Sequence, residues 1–128
     1  MPTINFAISR SSVCAGDDAD APHSRSVAVS DTMPIKFVIQ SILDSGYLAE
    51  ISGGHATWIV ELGSPVAVVA QQWSKPRFLA NPDSPISEFI NDSKFKSLHF
   101  NYWVQQDPEL VFNCLMDGKP LPNRYGDA

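Results

Sequence analysis

A chain of 128 residues with 44% hydrophobic and 18% charged residues is long enough to bury roughly two thirds of the surface its unfolded form exposes, and too apolar to stay disordered. Its formal net charge of −5, with 9 Lys and Arg scattered along the chain, argues against non-specific nucleic-acid binding, which neutralises phosphates with grouped cations. It has no apolar run of about 18 residues and no basic-then-apolar N-terminus ending in small residues, so neither a membrane span nor a secretory leader is expected and the expected compartment is the cytoplasm.

Residues 3–9 alternate Ile4, Phe6 and Ile8 with polar residues or alanine, the period of a half-buried strand. Composition then shifts to Ser, Ala, Gly and Asp around Gly16, Asp17, Asp18 and Asp20, which predicts a long exposed loop over residues 11–24. Residues 25–30 carry Val27 and Val29 in phase and are expected to return beside the first strand as its hairpin partner. Ile35, Val38, Ile39, Ile42 and Leu43 fall on one stripe of a helix, with Asp31 or Thr32 as its expected cap, Pro34 in its first turn and Gly46 just past its end.

The stretch 47–73 is expected to supply three strands. Residues 47–51 come first, turned by Ser52, Gly53 and Gly54, because two consecutive glycines accept the positive φ of a tight hairpin. Residues 56–62 follow, with Ala56, Trp58, Val60 and Leu62 on one face and Thr57, Ile59 and Glu61 on the other. After Gly63, Ser64 and Pro65, residues 66–73 are apolar until Gln71, as in a central strand covered on both faces.

Residues 74–85, punctuated by Pro76, Pro82 and Pro85, read as an irregular connection, and a short helix with Ile86, Phe89 and Ile90 on one face follows. Residues 98–104 alternate Leu98, Phe100, Tyr102 and Val104 with His99, Asn101 and Trp103, predicting another strand of the main sheet. Asp107, Pro108 and Glu109 open a last helix, with Leu110, Val111, Cys114 and Leu115 as its expected buried stripe and Gly118 as its end. Residues 119–128 are expected to form an irregular tail. The order β-β-α-β-β-β-α-β-α predicts one α+β domain over 1–128, a mostly antiparallel sheet with three helices packed chiefly on one face.

No residue pattern assigns a catalytic group, a metal site or a cofactor. Asp17, Asp18 and Asp20 lack the alternating spacing and terminal bidentate glutamate of a calcium loop. No two of His23, His55 and His99 have the spacing of a metal pair on one helix face, and Cys14 and Cys114 read as free thiols. Glu50 and Glu61 are expected on neighbouring strands, facing solvent, and Ser9, Arg10, Ser11 and Ser12 as ordinary surface chemistry. Gly53 and Gly54 follow a strand but open no helix, so they lack the amide-lined terminus that holds phosphate. Trp58, Trp73, Trp103, Tyr102, Phe78 and Phe100 crowd the sheet, whose two faces cannot share one core. Either residues 74–85 fold over the second face or it carries an aromatic patch rimmed by Gln71, Gln72, Gln105 and Gln106.

An acidic chain with no chemistry of its own points to a protein-binding module. The expectation is a cytosolic inhibitor of the kind a bacterial immunity protein represents, occluding a basic toxin or nuclease with carboxylates that imitate phosphate. The candidate contacts are Asp17, Asp18 and Asp20, a second group of Asp83, Glu88 and Asp92, and the aromatic anchors Trp73 and Trp103. No direct nucleic acid, membrane or cofactor is expected. One alternative is a ligand-binding domain or enzyme with a pocket between sheet and helix bordered by Glu61, His99 and Trp103; another is a homo-oligomeric module joined through an edge strand or the aromatic face.

Overall fold

The computed structural model describes residues 3–10, 24–45, 47–48, 56–62, 64–90, 97–103 and 106–121. In chain order they form β1 (Thr3–Arg10), β2 (Ser24–Ser30), α1 (Ile35–Asp44), β3 (Thr57–Leu62), β4 (Ser64–Ala70), β5 (Arg77–Phe78), α2 (Ser87–Ile90), β6 (Ser97–Tyr102) and α3 (Pro108–Asp117). The strands make one six-stranded sheet in the order β2-β1-β6-β3-β4-β5. Each neighbouring pair is antiparallel except β1 and β6, which run parallel with Ile8 opposite Leu98. The fold is α+β and mostly antiparallel.

The element order matches the sequence pattern, with one member exchanged. Tyr47 and Leu48, expected to begin a strand, lie outside any strand, and 49–51 fall outside the described residues. Tyr47 instead turns its ring into the core, 5.9 Å from the ring of Phe100. The third strand of this run is β5, in the stretch where prolines argued against regular structure. Only two residues pair there, at the sheet edge, where Pro76 takes no donor from an interior ladder. β4 begins at Ser64, inside the expected turn, and ends at Ala70, where the Trp73 amide donates to the Ala70 carbonyl and closes a turn.

α1 also begins differently from its sequence signal. Pro34 precedes it and no side chain caps it, so neither Asp31 nor Thr32 plays that part. The orphan amides at its start are taken by the proline-rich segment: Ile35 N–H donates to the Ser84 carbonyl (2.8 Å) and Lys36 N–H to the Pro82 carbonyl (3.1 Å). Residues 31–33 form a turn, in which the Met33 amide donates to the Ser30 carbonyl, and the same neighbour holds them, with Ile86 N–H on the Met33 carbonyl and Ser87 N–H on that of Asp31. Gly46 lies outside the described residues; within them Ser45 closes the helix, its hydroxyl donating to the Ile42 carbonyl at 2.6 Å.

The main core lies between α1 and one face of the sheet. Ile35, Val38, Ile39 and Ile42 meet Phe6 and Ile8 of β1, Trp58 and Val60 of β3, and Leu98, Phe100 and Tyr102 of β6, all buried. Ile86 and Phe89 add the α2 region to the same side. α3 packs on the opposite face, so the helices are not confined to one. β3 and β4 carry large apolar side chains in both directions, and Ile59 and Val68 would face water without the buried Val111 of α3. α3 buries Pro108 and Val111, and the half-buried Phe112 and Leu115 pack on the same cluster. Of the expected stripe Val111 and Leu115 meet the sheet, whereas Leu110 is exposed and the half-buried Cys114 lies off the cluster, because positions i, i+3, i+4 and i+7 counted from Pro108 face the sheet. Asp107 caps its start by accepting from the Glu109 amide, and Gly118 ends it at φ 67°, a left-handed conformation that glycine adopts cheaply.

Candidate functional site

The face that carries α3 is divided. Under the helix, Trp73 and Trp103 pack around Ile59, Val68 and Val111, and both are half-buried. The second aromatic face is therefore covered by α3 rather than by residues 74–85, and the two tryptophans are not an open patch. Trp73 is further occupied by Arg77, whose guanidinium lies 4.3 Å from the ring centre and reaches Glu109 of α3 at 3.4 Å. α3 is held at its approach by β3: the buried Thr57 hydroxyl donates to the Gln106 carbonyl at 2.7 Å.

Toward β2 the same face is open. Asn5 and Ala28 pair across the ladder, as do Ala7 and Ser26, and all four are exposed. At the border between the covered and open halves, one row crosses three strands: Ser9 of β1 is opposite His99 of β6, which is opposite Glu61 of β3. The Ser9 hydroxyl lies 2.8 Å from His99 Nδ1, and all three side chains are half-buried. Glu61, His99 and Trp103, proposed from sequence as a pocket border, thus share one face, with His99 and Trp103 four positions apart on alternate residues. Chemically the row offers a hydroxyl, an imidazole able to give or take a proton, and a carboxylate.

Sequence reasoning missed Ser9. Its own stretch reads as polar surface, and the only signal that could have found it is the parallel pairing of β1 with β6. Its neighbour Arg10, expected at the surface, is buried at 8% exposure on the core side, 6.0 Å from the Tyr47 ring. Strand alternation sends Ser9 and Arg10 to opposite faces.

The acidic candidates are only partly placed. Asp17, Asp18, Asp20 and Asp92 lie outside the described residues, as do Cys14, His23, Glu50 and His55. Asp83 is exposed but held by Lys36, with Nζ 2.6 Å from its carboxylate. Glu88 stands exposed in the first turn of α2. Among the described residues no group of three or more His, Cys, Asp or Glu is arranged to hold a metal ion, and no helix is long and apolar enough to cross a membrane.

Among the described residues four of the six cations are engaged within the molecule, and Lys75 and Lys119 are exposed without an ion pair. Arg10 is buried, Arg25 lies over the Tyr47 ring at 5.2 Å and donates to the Ser45 hydroxyl, Lys36 holds Asp83, and Arg77 bridges Trp73 and Glu109. Burial pushes the Tyr47 phenol above its ordinary value, and the positive charges of Arg10 and Arg25 partly oppose that shift. In comparisons with family models, curated proteins and solved structures nothing matches this chain, so a functional reading rests on its own geometry.

Proposed function

We propose that this protein works in the cytoplasm as an acidic binding module that occludes a basic protein partner, in the manner of a bacterial immunity protein masking a toxin or nuclease. The observation that supports this reading is the unequal use of charge. Among the described residues Arg10, Arg25, Lys36 and Arg77 are committed to internal contacts and Lys75 and Lys119 are exposed without an ion pair, while Glu88 and Asp117 are exposed in a chain of net charge −5. Such a surface attracts a cationic partner and orients its approach. Inhibition then needs no chemistry, only coverage of the partner's site. The test is capture from the source organism's lysate, with proteins encoded beside this one co-expressed, at low and moderate salt, followed by titration with Glu88→Gln and with Asp17, Asp18, Asp20 and Asp92 changed to Asn. One stoichiometric basic partner, bound more weakly by the neutralised variants, supports the reading; equal affinity in all of them rejects its electrostatic basis.

A second reading, a small-ligand site or enzyme, is favoured by the 2.8 Å contact between Ser9 and His99 in line with Glu61. A thermal-shift panel of metabolites on the wild type and His99→Ala separates the two. A compound that stabilises only the wild type marks a site there, because a ligand bound by the native state alone raises its stability. No such compound leaves the row as a structural hydrogen bond.

A further inference from the structure

The first turns of α1 and the stretch 75–82 enclose a groove of ≈ 350 Å³, within the size range of small-molecule sites. Phe37, Pro76, Phe78 and Pro82 form its apolar walls, and Lys36 and Lys75 its charged rim. Three observations set it apart from ordinary surface. Phe37 lies off the α1 stripe that faces the sheet and is 56% exposed, so folding leaves a large aromatic ring wet at this one place on α1. Lys36 is fixed beside it, 2.6 Å from Asp83 and 5.2 Å from the Phe37 ring centre, which largely cancels its charge. Lys75 is exposed and makes no ion pair among the described residues, so the rim carries one uncompensated positive charge in a chain whose net charge is −5.

We propose that this groove binds a small organic monoanion: a planar aromatic body between Phe37 and the prolines, with a carboxylate on Lys75. The charge argument selects the class. A cationic segment of the partner considered above would be repelled by Lys75, and a neutral apolar ligand would leave its charge unused. The walls are built before a ligand arrives. Proline fixes φ at Pro76 and Pro82, and backbone hydrogen bonds from Ile35 to Ser84 and from Lys36 to Pro82 tie the segment to α1, so little ordering entropy opposes binding. This proposal is independent of the acidic surface and of the Ser9–His99 row.

The test is an amide NMR titration with cinnamate as the probe and cinnamamide as its neutral counterpart, on the wild type, Lys75→Gln and Phe37→Ala. Both substitutions are at exposed positions, and unchanged shifts elsewhere show that the fold is kept. The expected result is saturable shifts confined to the amides of residues 36–40, 75 and 77–79. Cinnamamide, and cinnamate on Lys75→Gln, should bind roughly fivefold more weakly, the loss expected for one solvent-exposed charge contact. Phe37→Ala should weaken cinnamate at least as much. Absence of saturable shifts at the groove overturns the proposal, and so does unchanged cinnamate affinity in either variant.

Discussion

Tyr47 stands where core and charge meet. Its ring is 5% exposed and packs on Phe100, while Arg10 and Arg25 lie 6.0 and 5.2 Å from its centre. Burial raises the phenol's pKa above 10.0, and the guanidiniums only partly offset this. A folded-state pKa above the unfolded one means that the native protein holds the proton more tightly. The associated stability is therefore fully present below the unfolded pKa, about pH 10, and is lost as pH rises through the raised value. Denaturant titrations over an alkaline pH series should show that decline in the wild type and a shallower one in Tyr47→Phe; identical profiles would refute the role of this phenol. Trp58 makes a simpler case. At 2% exposure, 4.8 Å from the Tyr102 ring and central in β3, its truncation to Ala should cost about 3–5 kcal/mol, read as a lowered denaturation midpoint. Asp83→Asn, at a solvent-exposed pair, should change stability by no more than about 1 kcal/mol.

Among the elements, α3 was the most legible at its ends and the least legible in its facing. Asp107, Pro108 and Gly118 mark start and stop by local chemistry, and all three hold those places. The buried stripe is rotated from the one expected, because which apolar residues of a short helix are buried depends on the surface beneath. α1 shows the converse: its stripe is as read, but its start is satisfied by backbone from residues 82–84, a contact with no local trace. α3 rests on a small cluster around Ile59, Val68 and Val111, whereas α1 lies on the main core. Hydrogen exchange should therefore show α3 opening at lower free energy than β3 or β6. Asp107→Ala should cost about 1 kcal/mol and speed exchange in the first turn of α3. Exchange in α3 as slow as in β3 would show that the helix opens only with the whole molecule.

For the molecule as a whole, the open β2-β1-β6 half of the sheet and the net charge of −5 are what it would present to a partner of the proposed kind. If carboxylates steer association, the on-rate with a basic partner should fall steeply as salt rises across the Debye-screening range, while the off-rate changes less. Stopped-flow measurement at several ionic strengths decides this. An on-rate indifferent to salt would place the binding energy in apolar or hydrogen-bonded contacts instead.

The sequence by itself determined what short-range periodicity can encode. The alternation of Ile4, Phe6 and Ile8, the stripe of Ile35, Val38, Ile39 and Ile42, and the order of the elements apart from β5 follow from apolar residues recurring at the period of a strand or helix. Only the tertiary structure decided which strands became neighbours and what covered them. The parallel pairing of β1 with β6 brings Ser9 to His99, ninety positions apart, and α3 rather than the proline segment covers Ile59 and Val68. Local pattern specifies that a face must be buried. The choice of what buries it is made by the competition of distant segments for the same apolar surface, which no window of sequence contains.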